Sequence, residues 1–466
     1  MPVTEQIITL ERERTLGNGE LSGFLTSPDE KVVVRTELAL GRTKQVEAVT
    51  FLEQRLSDPR AAVRAMSVYA LGLVADGAGA EQIVALLAND SFSAVRVAAT
   101  DALRRDERAR RLGSEENSGE AALVTALGKD PDPIVRGRAA TALASFSTGP
   151  AANAAAAALV ASMNGERNND VRQHVMWSVY RAYATQVPMA FLAKGLHDND
   201  EIVRIEAVRA FGKLKNASAI AALQPLVNDP SWRVSEQASE SLRLLHGQAM
   251  TAHLTALPHV QLSPLQPDRL ASLPALPRTP ETGKPAAPNA SQAILEPSID
   301  PVTARDMTGP AHGPHPRLRI VTTKGNVYVT LFPEWAPLTT ANFLNLANRG
   351  YYDGNRWFRI VPDFVVQTGD PHDNGDGDAG YSIPAEENPL EQRSYVISMG
   401  LNYDDKTQTP IRDSAGTQYY VTLSPQYHLD SDFTVFGWVT SGTDVLARLI
   451  ESDRVVRVER VADETL

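Results

Sequence analysis

Apolar positions in the first half of the chain recur at helical spacing. Val63, Ser67, Ala70 and Leu71 share one face of a 3.6-residue period, and Val203, Ala207, Ala210 and Phe211 repeat the arrangement. Seven stretches carry the pattern: DEKVVVR (29–35), DPRAAVR (58–64), DSFSAVR (90–96), DPDPIVR (130–136), ERNNDVR (166–172), DNDEIVR (198–204) and DPSWRVS (229–235). In each, a valine lies five residues after the leading acid: Val34, Val63, Val95, Val135, Val171, Val203 and Val234. The intervals between them, 29, 32, 40, 36, 32 and 31, are those of helical pairs stacked as a solenoid, each burying its stripe only against its neighbours. Asp58, with Pro59 behind it, is expected to cap the helix that follows. The alanine run at 151–163 reads as a further helix.

From about residue 248 the period stops. Thirteen prolines fall between Pro258 and Pro316, which excludes a long helix or a central strand and predicts an extended, semi-rigid linker. Beyond Pro316 the spacing changes to that of strands. RLRIVTTKGNVYVTLF alternates about a Lys-Gly turn and predicts a hairpin. PEWAPLTTANFLNLANRGYYDG predicts a helix with Pro337 at its start, Leu344 and Leu346 inward and Gly350 at its end. WFRIVPDFVVQTGD, VISMG, TQYYVTL and TVFGWV add short strands, and the set predicts a small closed β-barrel with capping helices. The expected domains are an all-α solenoid over 1–247, a linker over 248–315 and the barrel over 316–466.

The length of 466 residues suits two or three such domains, and the net charge of −11 disfavours nucleic acid or an anionic membrane as the main partner. With no cysteine, disulfides, thiolate metal sites and a cysteine nucleophile are excluded. No apolar run is long enough to span a bilayer, and the first residues show no basic-then-apolar leader. That predicts a cytoplasmic chain, or a periplasmic or cell-envelope one if a signal peptide has been trimmed. The mixed-charge stretch 104–120 reads as a solvated loop between repeats. DNGDGDAG lacks the glycine and glutamate of a calcium loop, and His312 and His315 are too isolated to bind metal, so no metal or cofactor is expected.

The leading acid, the Val-Arg pair and the following A-x-x-A-L resemble HEAT repeats over roughly residues 5–247. LFPEWAPLTTANFLNLANRGYYDG, FRIVPDFVVQTGD, GDGDAG, ISMG, GTQYYVTL and VFGWV resemble, in order, the cyclophilin family of peptidyl-prolyl isomerases. The resemblance implies that Arg359 is the catalytic donor, with Gln367 beside it. It places Phe364, Val365, Tyr420, Leu429 and Phe433 around a substrate proline, with Gln418, Gly400, Leu401 and His428 completing the substrate site. His428 stands where many members carry tryptophan or phenylalanine, and Phe433 where they carry histidine or tyrosine, which implies weak cyclosporin-type binding and reduced activity. The loop from Asn402 to Ala415 is about eight residues longer than in compact members. The implied function is isomerisation of X-Pro bonds in client proteins, proline-containing or unfolded, with the solenoid recruiting protein partners. The alternative is a binding scaffold whose barrel only recognises proline.

Overall fold

The expected stripes form the second helices of successive pairs: Glu30–Thr43, Ala61–Val74, Ser93–Arg105, Pro133–Leu143 and Asn169–Ser178. The computed structural model describes residues 2–74, 77, 79–105, 119–148, 152–215, 217–246, 315–404 and 406–461. The linker expected over 248–315, His312 included, therefore lies outside the described residues except for His315, which packs edge-on against Phe332. Val63, Ser67, Ala70 and Leu71 are all buried, and the alanine run forms the helix Ala152–Ser162. Among the described residues no helix is long and apolar enough to cross a membrane.

Two details of the repeat differ from expectation. In the first pair Val33, not Val34, is fully buried. There Asp29 itself caps the helix through the Lys31 amide, whereas in later pairs the cap lies two residues after the leading acid, at Asp132, Asn168 and Asp200. The first helix thus starts earlier in the motif, and its inward face is rotated. Asp58 also does not cap the helix itself: its carboxylate accepts the Arg60 amide at 2.9 Å, closing the turn that precedes Ala61.

The leading acids serve mainly to join repeats. Arg64 donates two hydrogen bonds to Asp90 of the next pair (2.8 and 3.0 Å), Arg96 to Asp130 (2.7 and 2.9 Å) and Arg136 to Glu166 (2.9 and 3.1 Å). Each arginine also reaches back to the carbonyl of its own leading acid, at Asp58, Asp90 and Asp130. A planar guanidinium can make both contacts at once, which is why the motif needs arginine after the valine. From Pro188 a separate unit begins, with helices Met189–Gly195, Glu201–Leu214, Ala217–Leu223 and Trp232–His246. It repeats the rung internally, Arg204 donating to Asp229 at 2.9 and 3.0 Å.

In the C-terminal domain, β1 (Arg317–Thr322) and β2 (Gly325–Leu331) form the expected hairpin. The helix Pro337–Asn348 follows, and its first free amides, Leu338 and Thr339, donate to the buried Glu386 carboxylate at 3.0 and 2.8 Å. The remaining strands are β3 (Arg359–Val361), β4 (Val365–Thr368), β5 (Val396–Met399), β6 (Tyr419–Thr422), β7 (Val435–Ser441) and β8 (Val455–Arg460). They make one antiparallel sheet in the order β3-β4-β6-β5-β7-β2-β1-β8. Its outer strands do not pair along their length. The sheet curls shut through the Arg356–Arg454 bridge, the Trp357 amide on the Asp453 carbonyl (3.0 Å) and the Val455 amide on Asn355 (2.9 Å). Phe343 fills the interior against Tyr352, Tyr419 and Phe436.

This domain is docked on the first five helical pairs, each of which contributes. Arg42, fully buried, donates to Glu11, to the Glu387 carbonyl and to the Trp335 carbonyl, each at 2.7 Å. Arg14 reaches the Ala385 carbonyl (2.9 Å) and Asp413 (2.5 Å). Tyr69 donates to Ser431 at 3.1 Å, Arg104 to the Asp430 carbonyl at 2.8 Å and Arg105 to the Ser431 carbonyl at 3.1 Å. Arg104 and Arg105, expected to begin a solvated loop, are instead docking residues; residues 106–118 of that stretch lie outside the description. Further along, Arg138 pairs with Glu391 (3.0 Å) and Asp430 (3.3 Å), and Arg393 pairs with Asp170 through both of its terminal nitrogens.

Removing one partner of a buried ion pair typically costs about 3–5 kcal/mol, because the charge left behind is unsolvated. Arg42→Ala is expected to lower the stability of the docked unit by about that amount, read as a fall in the urea midpoint. A change below about 0.5 kcal/mol would mean that this contact does not hold the domain.

Candidate active site

β3 and β4 lie antiparallel with Arg359 opposite Gln367 and Val361 opposite Val365. Gln367 is in turn opposite Tyr420 on β6. Side chains of like parity project together from adjoining strands, and this register sets the site. Val365, Tyr420 and Phe433 form a small buried apolar cluster, with Phe364, Leu401 and Leu429 packed against it. The sequence-predicted proline pocket is therefore brought together, apart from the main core.

Arg359 itself is exposed and stands at the mouth of this cluster. Its Nη1 donates to Gln367 Oε1 at 3.2 Å, and its guanidinium carbon lies 5.3 Å from the centre of the Phe364 ring. Gln367 Nε2 donates to Gln418 Oε1 at 3.0 Å, and Gln418 Nε2 donates to the carbonyls of Gly375 (2.8 Å) and Gly377 (3.1 Å). The relay fixes both amide orientations. The Gln418 amide group is spent on backbone, so this residue orients Gln367.

Gly400 completes that wall. A Cβ there would stand 3.2 Å from both Gln367 Nε2 and Gln418 Cβ, and its amide already donates to the Gln418 carbonyl at 2.8 Å. At Gly400 the backbone amide is therefore taken, which leaves its carbonyl. The acidic loop that follows β4 is structural: the Asp370 carboxylate accepts amides of His372 (2.6 Å), Asn374 (2.9 Å) and Gly375 (2.5 Å).

The opposite wall is the short turn Tyr427–Leu429. His428 stacks on Phe364 with centroids 6.1 Å apart and planes 16° from parallel. The turn is held from the helical repeats. Tyr427 stacks on His174 at 4.1 Å and meets the edge of Trp177 at 5.3 Å, and Trp177 lies 6.3 Å from His428. Gly137 makes room for this packing, since a Cβ there would come within 2.9 Å of the His174 ring. Burial pushes the His428 pKa down to about 3, helped by Arg181 and Arg104, so its ring is uncharged.

The long loop after Leu401 also meets the repeats. Arg412 donates to both Glu387 oxygens and to the Arg42 carbonyl (2.8 Å), while Asp413 takes Arg14. The loop folds back through a Tyr403–Pro410 bridge. Sequence reasoning missed the docking residues on the helical side, among them Arg14, Arg42, Tyr69, Arg138, Asp170, His174 and Trp177. The available signal was charge and aromaticity on helices whose other inward positions are small or aliphatic, as at Arg138 within RGRAATAL.

The cyclophilin type peptidyl-prolyl cis-trans isomerase/CLD family matches residues 317–464, and HEAT repeats match residues 20–104, 80–179 and 189–260. The chain is 41% identical over 133 residues to peptidyl-prolyl cis-trans isomerase B of Bacillus subtilis, a match covering 28% of this chain and 87% of that protein. It is 35% identical to a peptidyl-prolyl cis-trans isomerase of Synechococcus elongatus, over 30% of this chain and 94% of the relative. A Helicobacter pylori peptidyl-prolyl cis-trans isomerase is also 35% identical, over 30% and 83%. The curled sheet with its arginine-mouthed pocket is thus that of a prolyl isomerase. The chain belongs to the cyclophilin-type peptidyl-prolyl cis-trans isomerases and carries HEAT repeats ahead of the isomerase domain.

The wall at 427–430 is sensitive to acid and base in opposite senses. Burial opposes the charge on Glu391, but Arg138, His174 and Arg393 outweigh it and hold its pKa down to about 2. Burial pushes Asp430 up to about 7 despite Arg138 and Arg104. A depressed carboxylate stabilises the folded state above its unfolded pKa and loses that contribution as pH falls; a raised one loses its contribution as pH rises. The contribution of this pair to stability is expected to peak near pH 4, about the ordinary carboxylate value, where the two opposing slopes cancel. Denaturant melts across pH 2–8 check this: Asp430→Asn should flatten the slope above the peak and Glu391→Gln the slope below it.

Proposed function

We propose that Arg359 drives the isomerisation by donating to the nitrogen of the substrate's X-Pro bond. The pocket of Phe364, Val365, Tyr420, Leu429 and Phe433 would hold the ring. Rotation about that bond faces a barrier of about 18–20 kcal/mol because the nitrogen lone pair is conjugated with the carbonyl. A cation aimed at the nitrogen favours the pyramidal, deconjugated transition state over both planar ground states. No proton transfer or nucleophile is needed. The observation that carries this reading is the Arg359 guanidinium, exposed at the pocket mouth and oriented by Gln367 and Phe364.

The clients are proline-containing or unfolded proteins, and the activity serves protein folding. The helical face bearing Arg42, Tyr69, Arg104, Arg138 and His174 is occupied by the isomerase domain. That supports a scaffold role for this face of the first five pairs, beside the client recruitment expected of the repeats. Any client-holding surface lies elsewhere on the repeats.

Hydrogen bonds from a charged donor contribute about 1.5–3 kcal/mol, which converts to roughly a ten- to hundredfold rate effect. Arg359→Ala in the full chain is expected to lower kcat/KM by that factor in a protease-coupled prolyl isomerisation assay, with thermal unfolding unchanged. Turnover equal to wild type would refute the assignment of Arg359.

A further inference from the structure

The rings at the far wall of the pocket continue into the helical repeats. The Arg181 guanidinium carbon lies 6.0 Å from the Trp177 ring, Trp177 lies 6.3 Å from His428 at 19°, and His428 lies 6.1 Å from Phe364 at 16°. Arg359 stands 5.3 Å over Phe364. Three nearly parallel rings with a cation at each end therefore connect the fifth helical pair to the proposed catalytic arginine. Offset aromatic stacks of this spacing are attractive beyond the area they bury, and a cation over a ring face adds to them.

We infer that Trp177, a residue of the repeats, is a positioning residue for substrate binding: by backing His428 it holds Phe364, and through Phe364 the proline pocket, in its working geometry. The inference rests on the site assigned above. His428 has little else to fix its ring, because among the described residues its buried Nδ1 has no hydrogen-bond partner. Trp177, by contrast, is held firmly. It is 4% exposed and is wedged against Tyr427, which is itself stacked on His174. The uncharged state of His428 suits a ring sandwiched between two others. On this view the isomerase is complete only while docked, and affinity for the proline ring depends on a residue nearly two hundred positions upstream of Phe364.

Steady-state prolyl isomerisation by the full chain tests this, with kcat and KM separated. Trp177→Ala is expected to lower kcat/KM two- to tenfold, about the worth of one aromatic pair, chiefly through KM. Trp177→Phe should recover most of the loss, which a general loosening of the fold would not allow. In a His428→Ala background, Trp177→Ala should have no further effect. Unchanged kinetics in Trp177→Ala, or effects of the two alanines that multiply, would overturn the inference. Phe364→Ala keeps the two readings apart. If it leaves KM unchanged, the pocket assignment fails; if it raises KM while Trp177→Ala does not, only the positioning role fails. Should Trp177→Ala lose its cooperative melt, Trp177→Leu, which keeps bulk without a ring, takes its place under the same criteria.

Discussion

The docked arrangement turns on buried cations, Arg42 at the first pair and Arg138 further along. Arg138 lies among Asp101 (3.5 Å), Glu391 (3.0 Å) and Asp430 (3.3 Å), and donates to the Pro389 carbonyl at 3.0 Å. A guanidinium cannot shed its charge, so once buried it must be surrounded by acceptors from whichever domain can supply them. Here one carboxylate comes from the repeats and two from the isomerase domain. The gain in stability from such a cluster over a well-packed apolar contact is small, since desolvation offsets most of the Coulomb attraction. Its effect is geometric: this placement of the isomerase domain brings all four contacts to one guanidinium.

That placement fixes two walls of the site at once. Asp430 follows directly on the turn that carries His428 and Leu429, so the salt-bridge cluster and the pocket share a few residues of backbone. On the other side, Arg412 and Asp413 tie the base of the loop after Leu401 to Arg14 and Arg42. The base of that loop thus reaches the first helical pairs. The strand pair that carries Arg359 and Gln367, β3 with β4, needs none of this support, being held by its own ladder and by the glutamine relay.

Much of this was legible in the sequence. The repeat period, the strand runs and the motif around Arg359 depend on neighbours in the chain or on a fixed spacing, and such patterns survive in a linear reading. Phe364, Val365, Tyr420, Leu429 and Phe433 lie in one cluster. What stayed hidden was the docking. Arg42, Arg138, His174 and Trp177 read as ordinary variation within repeats because their partners lie hundreds of positions away. No local rule distinguishes a solvated arginine from one that will be buried by another domain. The misplaced register at Val34 has a local cause, in that Asp29 serves as both leading acid and helix cap.

The contacts along the repeats also change how the chain can come apart. A stack in which each pair touches only its neighbours frays from its ends, one unit at a time. Here Arg14 and Arg42 at one end and Asp170 and Trp177 four pairs later all grip the same isomerase domain. Opening the first pair therefore requires breaking contacts with a body that the fifth pair also holds, which converts a linear array into a ring of mutual dependence. During synthesis the order runs the other way: residues 2–187 emerge with their docking face uncovered, and the ring closes only when the last strands have been made.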